Sequence, residues 1–439
     1  MNSRDPAANS AEAAAAAAAS DRPPAFDEIF AGPALRATVS PIARTLELVE
    51  RTPGMVSFAC GNPANEALPV AEIAAACAAA LAADPERALQ YTAPRGIIQA
   101  ALGAHLARDG VTAGPAEIMP TTGAIQALAL LAHALLREGD VVVTEWPTYP
   151  VNLASFRTHG ARPIGVPMDE EGMRVDLLDR LLGELAREGR PAKLIYVIPD
   201  AQNPTGITMS RGRRIDLVEA AARHGVLVVE DAPYRRLDFA GEPIPPVAAL
   251  ARARFGPEAR VALVGSFAKT VAPGLRVGYL VAPPALLDVA VLLKQGEDFC
   301  TSGLLQLAIS ELIQNGTVAR QEQRFAAVHG EKLAAMQAAL ERELAGLPVR
   351  WLRPRGGLFV WLALPESADS ERILERAIAH RVAFIPSRAF YPPEVVGADG
   401  RPAPAAAPAN FLRLNFSYPP LLDIPRGVAS LAAALREAL

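Results

Sequence analysis

Short apolar runs rich in Val and Ile alternate with helical stretches from about residue 117 to residue 280. This alternation is typical of parallel strands joined by crossover helices, and it predicts an α/β core. Each apolar run ends at a polar or turn-rich segment, which is where open α/β sheets bind their ligands. The predicted strands are 140–144, 193–198, 226–230 and 261–264.

The remaining chain predicts a second, smaller domain. The 439 residues, 51% of them hydrophobic, can bury a large core and are expected to divide into lobes. After residue 280 the pattern changes to long helices at about 302–344, then a strand at 357–364. We expect this α+β region to include the entering segment at about 26–58. Residues 392–408, rich in Pro and Ala, predict a long loop.

Composition argues against several kinds of partner. The net charge is −4 without a long basic run, so no nucleic acid is expected. The three widely spaced cysteines argue against a disulfide framework or a thiolate metal site and favour a reducing, cytoplasmic location.

The apolar stretch 124–136 is shorter than the ~20 residues of a membrane span. The alanine-rich residues 1–25 predict a disordered tail rather than a secretory signal, with a helical alanine tract as the alternative and a transit peptide ranked below it.

Ser266, Lys269 and Arg276 lie within one short segment that follows the last predicted strand. A lysine amine condenses with the aldehyde of pyridoxal phosphate, while a serine hydroxyl and an arginine bind its phosphate. Lysine is scarce in this chain, since only four are present. The segment therefore indicates a pyridoxal phosphate site. The alternative is that Lys269 is only a cation at a strand end.

Two further strand ends carry polar residues that suit the same cofactor. Asp231 is expected to pair with a protonated pyridine nitrogen, which makes the ring an electron sink. Asn203, in Asn203-Pro204-Thr205-Gly206, and Tyr234 are expected at the phenolic oxygen. The alternatives are an aspartate that caps a turn and an ordinary Asn-Pro-x-Gly turn.

Gly123, Ala124 and Ile125 precede a strongly helical stretch, so their backbone N–H groups are expected to bind the cofactor phosphate. Tyr149 follows another predicted strand and is expected to stack on the pyridine ring, with core packing as its alternative.

Together these motifs resemble the class I/II aminotransferases of fold type I, which are pyridoxal-phosphate-dependent. The resemblance is to the branch that contains 2-aminoadipate and kynurenine aminotransferases. It runs in order from about residue 40 to the C-terminus. The matching segments are Ser57-Phe58-Ala59-Cys60-Gly61-Asn62-Pro63, Leu89-Gln90-Tyr91, Asn203-Pro204-Thr205-Gly206, Ser266-Phe267-Ala268-Lys269, Pro273-Gly274-Leu275-Arg276-Val277-Gly278-Tyr279 and Asn410-Phe411-Leu412-Arg413-Leu414-Asn415-Phe416.

The resemblance implies further roles. Arg413 matches the arginine that binds the substrate α-carboxylate, and Gly61 and Asn203 match substrate-contacting positions. Tyr91 matches a tyrosine that reaches the phosphate of the neighbouring subunit, which implies a homodimer with shared active sites. Arg44 falls where some relatives have an arginine that recognises the distal carboxylate or other side-chain group of the substrate. For both Arg413 and Arg44, the alternative is an ordinary surface charge.

The resemblance also implies the domain plan. A large domain at 61–325 is expected to hold a mostly parallel, seven-stranded sheet, and a small domain at 326–439 is expected to be joined by 26–60. Cys60, where relatives usually have glycine, Ala124-Ile125, where they often have Ser-Gln, and Cys300 depart from the family pattern. Cys300 and the loop at 392–408 are expected near the substrate pocket.

The expected reaction is a ping-pong transamination from an L-amino acid to a 2-oxo acid such as 2-oxoglutarate, with Lys269 as general base and then acid. A lyase, decarboxylase or amino-acid oxidase is the alternative on the same cofactor. A third hypothesis is a regulator in which an aminotransferase-like domain is fused to a DNA-binding module. It would need a winged-helix domain upstream, for which the short alanine-rich tail is expected to leave no room.

Overall fold

The structure is a computed structural model that describes residues 29–39, 41–239 and 243–439. The predicted disordered tail at 1–25 lies outside the described residues. The strands are β1 (Val56–Ser57), β2 (Ile118–Thr121), β3 (Val141–Trp146), β4 (Arg162–Asp169), β5 (Gly172–Met173), β6 (Leu194–Val197), β7 (Leu227–Asp231), β8 (Val261–Ser266), β9 (Gly278–Val281), β10 (Arg350–Trp351), β11 (Phe359–Ala363), β12 (Val382–Ala383), β13 (Ile385–Pro386), β14 (Glu394–Val396), β15 (Pro402–Pro404) and β16 (Phe411–Asn415).

Helices pack on both faces of the resulting sheets. They are α1 (Gly32–Arg36), α2 (Pro41–Glu50), α3 (Val70–Ala83), α4 (Pro85–Leu89), α5 (Gln99–Ala107), α6 (Ala124–Leu135), α7 (Pro150–Thr158), α8 (Val175–Arg187), α9 (Arg211–His224), α10 (Val247–Phe255), α11 (Pro284–Glu297), α12 (Gly303–Gln314), α13 (Thr317–Glu343), α14 (Ser370–Ala379) and α15 (Asp423–Ala438).

The larger sheet has the strand order β15-β14-β4-β3-β6-β7-β8-β9-β2, and β5 pairs with β4. The stretch from β4 to β2 contains the seven strands that the resemblance implied. Strands β4, β3, β6, β7 and β8 are parallel, whereas β9 is antiparallel to β8 and to β2. The four strands predicted from the apolar runs are confirmed as β3, β6, β7 and β8, with bounds within two residues.

Alternate residues of these strands face opposite sides of the sheet. Val141 and Val143 lie in the core on one face together with Ile195. Val142 lies in the core on the other face together with Tyr196. Because both faces are covered, the parallel strands are nearly continuous apolar runs, which is why they were recognisable in the sequence.

The prediction of a long loop at 392–408 is wrong for its central part. Residues 394–404 form the hairpin β14–β15, and β14 pairs in parallel with β4 at the edge of the larger sheet. Arg162 of β4 and Glu394 of β14 form a bidentate ion pair, which holds the hairpin against β4. The prolines of β15 are tolerated because an edge strand leaves one row of backbone groups unpaired.

The C-terminal part forms smaller sheets with their own core. Strands β10, β11, β16 and β13 form an antiparallel sheet, and β1 from the entering segment pairs in parallel with β12. Helix α13 connects the two cores, since Phe325 packs with the larger sheet and Met336 with the smaller one. None of the helices in the described ranges combines the length and the apolar character that crossing a membrane requires.

Candidate active site

A cavity lies at the carboxyl ends of β6, β7 and β8. Asn203 follows β6, Asp231 ends β7 and Ser266 ends β8, so the parallel arrangement brings all three to the same edge of the sheet. The predicted site residues that line the cavity are Gly61, Ala124, Ile125, Tyr149, Asn203, Asp231, Tyr234, Ser266, Lys269, Arg276 and Arg413.

Lys269 lies in the turn after β8, and its Nζ donates a hydrogen bond to the carbonyl oxygen of Gly61 at 2.7 Å. Burial, together with the positive charges of Arg413 and Arg276, lowers the pKa of Lys269 from 10.5 to about 8. About one tenth of this amine is therefore neutral at pH 7, far more than for an ordinary lysine, which suits a nucleophile and general base.

Asp231 is buried, with 4% of its surface exposed. Its Oδ2 accepts a hydrogen bond from the Tyr196 hydroxyl at 2.6 Å, whereas Oδ1 is buried without a partner among the described residues. Burial raises the pKa of Asp231 to about 6, and the Tyr196 hydrogen bond opposes that rise. An orphaned carboxylate oxygen in a cavity wall requires a donor from a bound molecule.

Asn203 connects the two sides of the cavity. Its Nδ2 donates to the Tyr234 hydroxyl at 3.4 Å, and its Oδ1 accepts from Nη1 of Arg413 at 3.0 Å. The Tyr234 ring lies edge-on to Phe359, with centroids 5.9 Å apart. Burial raises the pKa of Tyr234, so its hydroxyl keeps its proton at neutral pH.

Arg413 reaches the cavity from β16 of the smaller sheet. Its Nη2 donates to the carbonyl oxygen of Ala59 at 2.7 Å, and its guanidinium carbon lies 4.3 Å from the ring centroid of Phe359. Burial lowers the pKa of Arg413 to about 10, which still leaves it charged at neutral pH. Its Nε is buried without a hydrogen-bond partner in the described structure, so the guanidinium retains a donor for a carboxylate.

The loop before α6, called the anion-binding loop below, presents several groups that can donate hydrogen bonds to an anion. Gly123 adopts φ +81°, and α6 begins at Ala124 without a side-chain cap, so the first N–H groups of the helix have no intrahelical acceptor. Ser266 Oγ accepts from the N–H of Ala268, which leaves the serine proton as a donor. Arg276 Nη2 donates to the Thr122 carbonyl at 3.3 Å.

Glycine is required where this loop approaches the sheet. A Cβ at Gly123 would lie 2.4 Å from Nη2 of Arg276. A Cβ at Gly278 would lie 2.8 Å from both the carbonyl carbon of Gly123 and the carbonyl oxygen of Gly265. The guanidinium and the helix N-terminus are therefore held against each other, which concentrates positive potential at one point.

A buried lysine supports the same loop from behind. Lys294 Nζ donates to Asp298 Oδ1 at 2.6 Å and to Gln126 Oε1 at 2.9 Å. Asp298 Oδ2 accepts from the Thr122 hydroxyl at 2.7 Å, and Gln126 Oε1 accepts from the Thr122 N–H at 2.8 Å. The scarcity of lysine is therefore not enough to identify a cofactor-binding lysine, because Lys294 is equally rare and has a structural role.

Several predicted residues are not in the cavity wall of the single chain. Tyr91 is 83% exposed and contacts the ring of Phe299 edge-on. Arg44 is exposed on α2. Cys300 and the hairpin at 394–404 are not among the residues that line the cavity of the described chain, so their place near the substrate stays a prediction.

Other residues of the site were not identified from the sequence. Ile42, Leu128 and Phe359 line the cavity, and Tyr196 holds Asp231. The available signal for Tyr196 was its place in a predicted strand beside the one that ends at Asp231. The cavity wall also includes Asn62, Pro233 and Ala268.

These features fit pyridoxal phosphate. The cavity offers a buried carboxylate oxygen that has no donor among the described residues, a lysine amine of lowered pKa and an anion-binding loop. The described residues contain no group of three or more His, Cys, Asp or Glu side chains arranged to hold a metal ion.

Residues 53–412 match the family "Aminotransferase class I and II". The chain is 38% identical over 418 residues to the 2-aminoadipate transaminase of Thermus thermophilus, covering 95% of this chain and 99% of that protein. It is 35% identical over 415 residues to aromatic-amino-acid aminotransferase 1 of Thermococcus litoralis, covering 94% and 95%.

Solved structures agree with these sequence matches. The fold is similar to kynurenine aminotransferase of Pyrococcus horikoshii in complex with PMP, with a TM-score of 0.84, 33% identity and coverage of 94% of this chain and 98% of that one. It is similar to alpha-aminoadipate aminotransferase of Thermus thermophilus complexed with N-(5′-phosphopyridoxyl)-L-leucine, with a TM-score of 0.82, 35% identity and the same coverage. The chain belongs to the class I and II aminotransferases, in the branch of the 2-aminoadipate and kynurenine enzymes, and transfers amino groups with pyridoxal 5′-phosphate as its cofactor.

Proposed function

We propose that Lys269, Asp231 and Arg413 carry a ping-pong transamination in which an L-amino acid gives its amino group to the enzyme and a 2-oxo acid then receives it. The observation that supports this most directly is the meeting of three groups in one cavity. They are a lysine amine with a pKa of about 8, and a carboxylate oxygen and a guanidinium N–H that are buried without a partner in the described part of the chain.

Bound pyridoxal phosphate supplies an aldehyde for the substrate amine and a ring that withdraws electrons from the substrate α-carbon. Asp231 would pair with the ring nitrogen, and Asn203 and Tyr234 would bind the phenolic oxygen. Tyr149 would stack on the ring. Gly123, Ala124 and Ile125 would bind the phosphate through their N–H groups. Ser266 and Arg276 would hold it through side chains.

With substrate and pyridoxal phosphate bound, the Lys269 amine would take the proton from the substrate α-carbon on Nζ as general base and would return it to the cofactor's C4′ carbon as general acid. The carbonyl of Gly61, 2.7 Å from Nζ, holds this amine at the cavity wall between the two transfers. The positive charges of Arg413 and Arg276 keep the protonated amine acidic enough to return the proton.

Arg413 would bind the substrate α-carboxylate. Its guanidinium is already fixed by the Ala59 carbonyl, the Asn203 side chain and the Phe359 ring, so little ordering is required when a carboxylate arrives.

The rest of the cavity wall favours amino-acid substrates with apolar or aromatic side chains. It is formed by Ile42, Ile125, Leu128 and Phe359. Among the described lining residues, the cations are Lys269, Arg276 and Arg413, and each has another proposed partner. The leucine adduct in the Thermus relative is compatible with such a subsite. For the acceptor we propose 2-oxoglutarate, with Arg44, two residues from Ile42 on α2, as candidate for its distal carboxylate.

The test is a half-reaction. The purified holoenzyme is incubated with single amino acids and no 2-oxo acid, and products are identified by chromatography. We expect one 2-oxo acid per active site, formed faster from leucine or phenylalanine than from 2-aminoadipate or glutamate. Carbon dioxide, ammonia or a cleaved product instead would contradict transamination. Lys269→Ala should give no 2-oxo acid, and full turnover by this variant would contradict the role of Lys269.

We also propose a homodimer in which Tyr91 of one subunit completes the site of the other, supported by its high exposure beside Phe299. The proposed domains are 61–325 and 326–439, with 26–60 joined to the smaller one and supported by the pairing of β1 with β12. A cytoplasmic location is supported by the three free cysteines.

A further inference from the structure

Asp231 is held by a residue that does not line the cavity. The Tyr196 hydroxyl donates to Oδ2 of Asp231 at 2.6 Å, and Oδ1 has no partner among the described residues. Tyr196 is completely buried. It therefore cannot touch substrate, and the mechanism above gives it no task.

The sheet fixes how these two side chains meet. In the parallel pairing of β6 with β7, Tyr196 lies opposite Val229, two residues before Asp231. Tyr196 and Asp231 are therefore diagonal neighbours on the same face of the sheet. The Tyr196 ring is held edge-on by Phe156 of α7, with centroids 5.7 Å apart. The hydroxyl thus has a fixed position on a rigid element.

The electrostatic surroundings make this single hydrogen bond important. Burial raises the pKa of Asp231 to about 6, and the bond from Tyr196 acts in the opposite direction. Burial keeps the pKa of Tyr196 itself well above its usual value, so it remains a donor at every working pH. The other titratable groups facing Asp231 or sharing its cavity are Glu145, Tyr149, Tyr234, Lys269, Arg276 and Arg413.

We propose that Tyr196 is a positioning residue for the cofactor: by binding Oδ2 it fixes the Asp231 carboxylate so that the ionised Oδ1 is presented to the ring nitrogen of pyridoxal phosphate. This rests on the proposed pairing of Asp231 with that nitrogen. Tyr196 thereby acts on the electron-withdrawing capacity of the ring through Asp231, without contacting the ring.

The test compares two ligands on apoprotein. One is pyridoxal phosphate, and the other is its carbocyclic analogue, in which a C–H group replaces the ring nitrogen. Tyr196→Phe removes the hydroxyl and keeps the ring. Dissociation constants are measured by quenching of tryptophan fluorescence. We expect the variant to bind pyridoxal phosphate about 10-fold more weakly, as is typical for loss of a hydrogen bond to a charged group, and to bind the analogue as the wild type does.

The pH dependence gives a second readout. In the wild type, affinity for pyridoxal phosphate should fall as the pH drops through the pKa of Asp231. In Tyr196→Phe that fall should begin at higher pH, because the carboxylate has lost the donor that favours its charged form. The analogue should show no such shift. A structural disturbance alone would weaken both ligands equally at all pH values.

Equal losses for the two ligands, or no loss for either, would overturn the role of Tyr196. A wild type that binds both ligands equally would overturn the pairing of Asp231 with the nitrogen, and the role of Tyr196 with it. Tyr391→Phe, at another buried tyrosine that contacts Trp146, is the control and should leave both affinities unchanged. If Tyr196→Phe does not fold, Phe156→Leu is the second variant, because it loosens the packing of the Tyr196 ring. It should also weaken binding of pyridoxal phosphate more than binding of the analogue.

Discussion

At the scale of single residues, burial decides the chemistry of this site. Lys269 and Asp231 have pKa values of about 8 and about 6, because both lose solvent in the same cavity. Burial increases the neutral fraction of the lysine amine and makes the aspartic acid a weaker acid, and specific neighbours adjust each shift. Residue type alone would give neither shift, because the ordinary pKa values of lysine and aspartate lie far from neutral pH.

The first prediction concerns Lys269. Covalent attachment of pyridoxal phosphate requires the neutral amine, so the rate of attachment to apoprotein should rise with pH and level off above about 8. Borohydride trapping at timed intervals, read by mass spectrometry of the Lys269 peptide, measures this rate. A rate that still climbs steeply above about pH 9 would indicate an ordinary lysine. Lys269→Arg is the control and should trap no cofactor at that peptide.

The second prediction concerns Glu145, which lies near the end of β3 and accepts hydrogen bonds from the Ile198 N–H and from Gln202. Burial raises its pKa from 4.5 to about 8. Between these values the folded protein binds a proton that the unfolded chain does not, so this group makes the protein less stable as the pH rises from about 4.5 to about 8.

Glu145→Gln keeps the shape and removes the titration. The stability of the variant relative to the wild type should therefore improve by about 1 kcal/mol or more on going from about pH 5 to about pH 8. Urea unfolding of the apoprotein at several pH values measures this. A pH-independent difference would contradict the protonated state of Glu145. Glu366→Gln, which makes the same substitution at an exposed position, is the matched control.

At the scale of elements, the anion-binding loop depends on how closely β9 approaches the start of α6. Gly278 pairs with Ser266 of β8 and with Thr121 of β2, directly beneath the loop. Backbone atoms of Gly123 and Ala124 lie within 3.0 Å of where a Cβ on Gly278 would be. The strand thus positions the helix N-terminus, and the helix positions its N–H groups.

The third prediction follows from this contact. Gly278→Ala should push the loop away from Ser266 and Arg276, because the added methyl has no space, and overpacking of this kind costs about 1–3 kcal/mol. Affinity for pyridoxal phosphate should fall about 10-fold, with little change for pyridoxal, which lacks the phosphate. Gly274→Ala, where no atom lies within 4 Å of the added Cβ, is the matched control. Equal losses of affinity for both ligands would mean that the substitution does not act through the phosphate.

At the scale of the whole molecule, segments distant in the sequence close the site. Arg413 bonds to Asn203 and to Ala59, which are 210 and 354 positions away. The hairpin β14–β15 ties the C-terminal part to the edge of the larger sheet, and α13 runs through both cores. The described single chain leaves Tyr91 exposed, which motivates a test of the dimer.

The fourth prediction is complementation between two inactive variants. If Tyr91 serves the neighbouring site, Tyr91→Ala damages the partner's site, whereas Lys269→Ala damages its own. In a mixed dimer, one site then has both wild-type residues and the other has neither. Refolding the two variants together should restore a substantial part of the activity missing from each alone. Absence of any restoration, with mixed dimers verified by differential tags, would mean that Tyr91 does not act across subunits.

The sequence by itself determined the parallel core and the cofactor chemistry, because both depend on short-range patterns. A strand buried on both faces is an apolar run, and Ser266, Lys269 and Arg276 lie within one turn-rich segment. The resemblance added Arg413 through its motif. None of these conclusions required knowledge of which strand lies beside which.

Only the tertiary structure decided the contacts that depend on register and on distant packing. Tyr196 meets Asp231 because β6 and β7 pair in one register, and a shift of one residue would place them on opposite faces. The Phe359 ring lies under Arg413 because β11 and β16 pair in the smaller sheet. Strands β14 and β15 have only three residues each, and β15 contains two prolines, so the segment resembles a loop until β14 pairs with the edge of the larger sheet. This is why the hairpin at 394–404 was missed.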